Sequence, residues 1–121
     1  MFRVLFLLLI VMSSVTFAQA QEKKEPVKFA EFGKAADSLV TTKLVAFDKE
    51  LKKQQTSQGV IINYGTDKEI ALREKQLQKA MSSQRMFHDI RFTFVRGGSS
   101  DTRKIKTILW VVPEGAEYPK P

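Results

Sequence analysis

The 121-residue chain predicts an α+β fold, a two-layer β-α-β-α-β-β sandwich with two helices on one face of a three- to four-stranded mixed sheet. Short apolar or alternating runs over residues 27–32, 60–64, 90–95 and 102–112 are each followed within two residues by glycine or proline, as strands are. Two amphipathic patterns of helical period separate the first three runs. Because two helices are too few to cover both faces of such a sheet, we expect them to share one face.

The first twenty residues have the features of a secretory signal peptide. Arg3 is the only charged residue before an apolar run over residues 4–11, and the segment ends in Ala18-Gln19-Ala20, a typical cleavage pattern. The apolar run is shorter than the ~20 residues that a membrane-spanning helix needs. We therefore expect cleavage after Ala20, a periplasmic or secreted bacterial protein, and no stable membrane insertion afterwards. A retained anchor is the alternative.

Composition restricts both the chemistry and the partners. The chain has no cysteine, which excludes disulfides, thiol catalysis and a cysteine-linked lipid anchor and fits a bacterial periplasm. The 20 Lys and Arg residues outnumber the 13 Asp and Glu residues, which favours anionic partners such as envelope polymers or acidic lipid headgroups. Export argues against nucleic acid as the partner. A solvated, lysine-rich surface without any partner is the alternative.

The mature chain is long enough for a single domain, which we assign to residues 27–113. A flexible lead-in over residues 21–26 precedes it, and an extended tail over residues 114–121 follows it. The domain opens with a strand at residues 27–32 and continues with a helix over about residues 35–54. The apolar stripe of that helix consists of Val40, Leu44, Phe47 and Leu51.

The second strand passes directly into the second helix. Residues 60–62 are consecutive β-branched residues, which indicates a central strand, and Gly65 ends the run. Thr66 and Glu69 have the spacing of a capping box, in which each side chain bonds the backbone amide of the other residue. Asp67 is then an acid in the first helical turn, where the helix dipole favours it.

Arg73 is the residue of the second helix that needs an explanation. It lies at the margin of the apolar stripe formed by Ile70, Leu77 and Met81. An ion pair with Glu69, four residues earlier, accounts for it structurally. Binding of a ligand carboxylate is the functional alternative.

The last part of the domain is predicted as a hairpin with a basic surface. Residues 90–95 alternate between apolar and polar side chains, residues 97–101 form the connection, and the last strand covers residues 102–112. Basic residues are expected to share one exposed region of this hairpin; they are Arg91, Arg96, Arg103, Lys104 and Lys106. Such a row is either a solvated face that prevents edge-to-edge pairing or a binding surface for an anionic glycan or lipid.

Several segments match a known pattern. Residues 63–67 read Asn-Tyr-Gly-Thr-Asp, residues 71–74 read Ala-Leu-Arg-Glu, and residues 89–92 read Asp-Ile-Arg-Phe ahead of a glycine pair. These segments resemble the OmpA-like periplasmic domain that binds peptidoglycan and has a β-α-β-α-β core. The arrangement of these segments is also similar to small, uncharacterised secreted bacterial proteins of that fold. They share its Phe-x-x-Phe-Gly start (Phe29 to Gly33), a strand ending in Tyr-Gly and a closing Leu-Trp-x-Val-Pro-x-Gly-Ala (Leu109 to Ala116).

The resemblance implies a ligand site. In the OmpA-like family an aspartate and an arginine hold the free carboxylate of the diamino acid in the peptidoglycan stem peptide. The matching residues here are Asp67 and Arg73, with Thr66 beside them. The family has a loop between the two that this chain lacks. On one continuous helix a separation of six residues points the two side chains about 120° apart, so they would flank a ligand rather than grip it.

The function expected from the sequence is a non-catalytic periplasmic or secreted binding module of OmpA-like type that contacts peptidoglycan or another anionic envelope component. A protein–protein interaction or envelope-assembly module without a cell-wall ligand is the alternative. His88 is the only histidine and has no nucleophile motif with it, so we expect no enzyme. No metal site or cofactor is expected, because clusters of His, Cys or carboxylate residues at ligand spacing are lacking.

Overall fold

A computed structural model describes residues 24–85 and 91–121. The predicted signal peptide, residues 1–20, lies outside this part of the chain, and so do His88 and Asp89. The helices and strands follow in the order β1 Val27–Phe32, α1 Asp37–Lys53, β2 Gln58–Tyr64, α2 Asp67–Ser83, β3 Phe92–Gly98 and β4 Lys106–Val112. The predicted α+β fold class is confirmed.

The four strands form one mixed sheet in the order β1-β4-β2-β3. Strand β4 is antiparallel to both of its neighbours, β1 and β2, whereas β2 and β3 are parallel. Consequently β1, β2 and β3 all run in one direction, and their carboxyl ends meet where β4 begins. We call this region the carboxyl end of the sheet.

The predicted terminal hairpin is wrong, because β2 lies between β3 and β4. Helix α2 carries the chain across the sheet so that β3 pairs in parallel with β2, and β4 then returns into the gap between β1 and β2. Strand β4 also begins at Lys106 rather than at the predicted Thr102. The preceding residues form a loop in which Arg103 N–H donates to Ser100 O over 3.2 Å.

Both helices pack on the same face of the sheet. Strand β2 is central, as its apolar sequence predicted, and Ile61 points toward the helices into a core with Leu44, Leu77 and Leu109. Gly59 permits close approach of α1, since a Cβ atom there would lie 2.8 Å from the Leu51 side chain. Further members of this core cluster are Phe32, Val40, Phe47, Leu51, Ala80, Met81 and Val111.

The other face of the sheet carries a smaller apolar cluster. Val60, Ile62 and Val112 are buried there, and Trp110 packs against them. The tail after β4 forms no helix or strand, but it returns to this face, where Ala116 joins the cluster. Its Tyr118 hydroxyl donates to Oε1 of Gln58. No helix within the described residues has the length and apolar character needed to cross a membrane.

Candidate functional site

The start of α2 forms the capping box that the sequence predicted. The Glu69 amide donates to Oγ1 of Thr66 over 3.2 Å, and the Thr66 amide donates to Oε1 of Glu69 over 2.9 Å. Both residues are therefore used in starting the helix. Asp67, between them, is exposed to solvent.

Arg73 is buried, with only 4% of its surface exposed, and it connects three parts of the fold. Its guanidinium donates to the hydroxyl of Thr107 on β4 over 2.7 Å and to the carbonyl of Gly33, directly after β1. A third bond, 3.1 Å long, goes to Oε1 of Gln76 on the next turn of α2. The guanidinium carbon also lies 4.8 Å from the ring centre of Phe32, a distance typical of a cation–π contact.

The bonds continue beyond Arg73 on both sides. Since the Thr107 oxygen accepts from Arg73, its own proton goes to Oδ1 of Asn63, 2.7 Å away on β2. The side-chain amide of Gln76 donates to the carbonyl of Ala35 over 2.8 Å and to Oδ1 of Asp37 over 3.0 Å. We call Arg73, Thr107, Asn63 and Gln76 the Arg73 network, which ties α2 to both central strands and to the β1–α1 connection.

The Arg73 network holds its cation with neutral oxygens. No carboxylate of residues 24–85 or 91–121 forms an ion pair with Arg73, and burial lowers the pKa of its guanidinium. The predicted pair with Glu69 is absent because the Glu69 carboxylate bonds the Thr66 amide instead. A buried arginine has five N–H donors, and Arg73 satisfies three of them with protein acceptors.

Asp67 and Arg73, the predicted pair of ligand residues, are not brought together. Asp67 is exposed at the start of α2, whereas Arg73 is buried against β4. The charge of Asp67 acts on Arg96, whose pKa is raised mainly by its hydrogen bond to Glu74 and to a smaller extent by Asp67. Asp67 and Arg73 are therefore not arranged to bind one ligand carboxylate together.

The five predicted basic residues do not form one surface. Arg91 precedes β3 and donates to the carbonyls of Gln54 and Gln55, the shorter bond being 3.1 Å. Arg96 lies five residues further along the strand direction, about 16 Å away at ~3.3 Å per residue. It forms an ion pair of 2.6 Å with Glu74 on the helix side. The prediction was wrong because it assumed a hairpin of two adjacent strands.

Three of the five basic residues do meet, at the carboxyl end of the sheet, in a cleft of about 630 Å³. They are joined there by Lys34, which directly follows β1. We call this site the basic cleft; the charged side chains that line it are Lys34, Arg103, Lys104 and Lys106, with Glu31 and Glu69. Four cations against two carboxylates make the lining positive. Sequence reasoning missed Lys34, because only the strand order places the end of β1 beside the start of β4.

The cations of the basic cleft differ in their partners. Lys106 forms ion pairs with Asp101 over 3.2 Å and Glu31 over 3.8 Å, and its bond with Asp101 is the largest cause of its raised pKa. The other three cations, Lys34, Arg103 and Lys104, are exposed. No described residue forms an ion pair with any of the three. Their charge is available to a ligand.

Arg103 has a left-handed backbone conformation, with φ of 58°, which residues other than glycine adopt only at a cost in free energy. The turn that closes with the Arg103–Ser100 bond holds it there, and the Ser100 hydroxyl bonds the carbonyl of Lys104. The loop thus places two cations at the rim of the basic cleft.

A second depression of about 430 Å³ adjoins the basic cleft and shares Lys34, Glu69 and Ile105 with it. Arg73 and Gln76 form part of its wall. The Arg73 network therefore lies behind the basic cleft and supports it. Among the described residues no three His, Cys, Asp or Glu side chains are grouped to hold a metal ion.

No protein-family model matches this chain, and no curated protein or solved structure matches it either. The chemistry open to the site follows from its own residues: it is concave, it has three exposed cations that no described carboxylate pairs with, and the Arg73 network adjoins it.

Proposed function

We propose that the protein is a non-catalytic, OmpA-like binding module of the bacterial cell envelope, and that its basic cleft receives an anionic component, peptidoglycan in the first instance. The observation that carries the proposal is the group of three exposed cations, Lys34, Arg103 and Lys104, which no described carboxylate neutralises. The β-α-β-α-β core agrees with the OmpA-like resemblance. The signal-peptide pattern agrees with an envelope location.

The position of the basic cleft supports this proposal. The cleft lies where β1 ends and the antiparallel β4 begins, so the sheet brings cations from two separate chain segments into one concave site. Its volume of about 630 Å³ falls in the range of ligand sites, roughly 300–1,000 Å³. Stem-peptide carboxylates of peptidoglycan supply the negative charge that the three free cations attract.

Arg73 is then a positioning residue rather than a ligand-binding residue. It holds the carbonyl of Gly33, the residue directly before Lys34, and the hydroxyl of Thr107, directly after Lys106. One buried side chain thus bonds both backbone segments that carry these lysines, and it adds to the β1–β4 pairing that already places Phe32 beside Thr107. The resemblance implied that Arg73 binds a ligand carboxylate; in this proposal the exposed cations of the basic cleft bind it instead.

Co-sedimentation of the purified protein with insoluble peptidoglycan tests this proposal. The wild-type protein should co-sediment at low salt and be released as sodium chloride is raised, because exposed charges are screened within about 10 Å at 0.1 M. Each of Lys34→Gln and Arg103→Gly should weaken binding about threefold, and the double variant about tenfold.

Lys49→Gln is the matched control, since it removes one exposed positive charge on α1, away from the basic cleft. It should bind as the wild-type protein does. Equal binding by the wild-type protein and the Lys34→Gln/Arg103→Gly double variant would refute the proposed site. Absence of wild-type co-sedimentation at low salt would refute peptidoglycan as the ligand.

A further inference from the structure

Helix α2 has an exposed side that lies outside both the Arg73 network and the basic cleft. Residues 68, 72, 75 and 79 follow one another at spacings of four, three and four, so the helical period places them on one side of α2. That side points away from the sheet, because Ile70 and Leu77 on the opposite side are buried. We call the exposed side the outer surface of α2; it consists of Lys68, Leu72, Lys75 and Lys79.

The lysines of the outer surface have little counter-charge. No carboxylate of the described ranges, residues 24–85 and 91–121, forms an ion pair with Lys68 or Lys75. Lys79 has one partner, Asp37, at 3.4 Å, and both side chains of that pair are exposed. Exposed pairs of this kind bind weakly, so the Lys79 charge can still act on a ligand.

The acidic residues of α2 lie on other sides of the helix. The Glu69 carboxylate bonds the Thr66 amide at the helix start, and Glu74 pairs with Arg96 on β3. The charge of Asp67 also acts on Arg96, which places Asp67 on the flank of α2 that faces β3. The outer surface is therefore positively charged along its length.

Leu72 is the member of the outer surface that a solvated lysine row does not explain. Its exposed fraction is 58%, and lysines lie one helical turn away on both sides, Lys68 and Lys75. Among the large apolar side chains that are exposed in the described residues, only Leu72 has this setting. A polyanion would use the lysines alone. A leucine between lysines fits a partner with an anionic surface and an apolar layer directly beneath it.

We propose that the outer surface of α2 docks reversibly on an anionic lipid bilayer. The lysine ammonium groups lie at the level of the lipid phosphates, and the Leu72 side chain enters the boundary between headgroups and acyl chains. The docking is peripheral, because α2 stays packed on the sheet. Each lysine contributes about fivefold and the leucine about tenfold, so half-saturation is expected at about 1 mM accessible lipid.

Co-sedimentation of the mature protein with vesicles tests this inference. The protein should bind phosphatidylcholine vesicles that contain about one-third phosphatidylglycerol, an anionic lipid, and should not bind vesicles of phosphatidylcholine alone. Lys68→Gln/Lys75→Gln should weaken binding about 25-fold. Leu72→Gln keeps every charge and a good helix-forming residue and should weaken binding about tenfold.

Lys49→Gln/Lys53→Gln is the matched control, since it also removes two exposed positive charges. These lysines lie on α1, at least about 18 Å along the helix from Asp37, the α1 residue that meets Lys79. The control should bind within about threefold of the wild-type protein. An equal loss in the control and in Lys68→Gln/Lys75→Gln would show that net charge alone drives binding and would overturn the docking surface.

Two further outcomes would also overturn the inference. Absence of saturable binding to the anionic vesicles would exclude the bilayer as the partner, and unchanged binding by Leu72→Gln would indicate an acidic polymer instead. The proposed function is tested separately, because Lys68→Gln/Lys75→Gln should retain peptidoglycan co-sedimentation. Lys34→Gln/Arg103→Gly should lose it and still bind the vesicles within about threefold of the wild-type protein. A larger loss of vesicle binding in that variant than in Lys68→Gln/Lys75→Gln would assign the lipid to the basic cleft.

Discussion

The Arg73 network and the basic cleft adjoin each other, yet they use positive charge in opposite ways. Arg73 is buried and has its donors on neutral oxygens, one of them the Thr107 hydroxyl at 2.7 Å. Lys34 and Arg103 are exposed and have no ion pair with any described residue. The comparison separates a cation that stabilises the fold from cations that are available to a ligand.

The difference follows from solvation. Moving an arginine out of water is unfavourable, and it persists only where hydrogen bonds replace the water that it loses. Such a residue is committed to the fold and has little freedom to rearrange around a ligand. Exposed cations keep their hydration until a ligand arrives, so their removal should alter binding and leave stability nearly unchanged. The predictions below test this contrast.

The largest effect is expected for Arg73→Ala. The substitution leaves the acceptors at Gly33 and Thr107 without their donor and opens a cavity beside Phe32, so we expect a loss of about 3 kcal/mol in the free energy of unfolding. Urea denaturation measures it. Lys34→Gln should cost less than about 0.5 kcal/mol in the same assay. If both variants have the same stability, the contrast between buried and exposed cations does not hold.

Thr107→Val should have the next largest effect. Valine keeps the shape of threonine but removes the hydroxyl that links Arg73 to Asn63, which should cost about 2 kcal/mol of unfolding free energy. Thr107→Ser keeps the hydroxyl and should lose clearly less. In a double-mutant cycle with Arg73→Ala the two costs should not add, because both changes break the same bond. Additive costs would mean that the network does not act as a unit.

Thr66→Ala should cost about 1 kcal/mol, since it removes the acceptor for the Glu69 amide at the start of α2. Thr66→Ser retains that acceptor and should be close to the wild-type protein in thermal unfolding. Peptidoglycan binding should not change in either variant. Loss of binding without loss of stability in Thr66→Ala would return Thr66 to the ligand site that the resemblance implied.

Local features of the fold were predictable from sequence, and non-local ones were not. The capping box of Thr66 and Glu69 depends on residues three apart, and the central position of β2 follows from its own apolar residues. Strand order depends on contacts between distant segments, and no local pattern distinguished a terminal hairpin from a β4 inserted between β1 and β2. Because the strand order was not predicted, the five basic residues were wrongly placed on one surface and Lys34 was missed.

Arg73 illustrates the same limit. Its position at the margin of an apolar stripe marked it as unusual, but its main partners, Gly33 and Thr107, are 40 and 34 residues away in the chain. Only the assembled sheet brings them within reach. The local candidate, Glu69, was already engaged at the helix start.

The smallest effect concerns Asp37, at the exposed margin of the Arg73 network. Its bond from Gln76, and then its interaction with Lys79, hold the pKa of the Asp37 carboxyl below the usual range. A carboxyl whose pKa is lower in the folded than in the unfolded state stabilises the fold above its ordinary pKa, near pH 4, and loses that contribution as the pH falls through the folded-state value. Asp37→Asn should therefore reduce the acid sensitivity of the unfolding midpoint slightly, most visibly at low salt.

Ser38→Asn, beside it on the same exposed turn, removes no charge and should leave the acid dependence unchanged. If Asp37→Asn and the wild-type protein show the same acid dependence, the network ends at Gln76, and only its buried part contributes to stability.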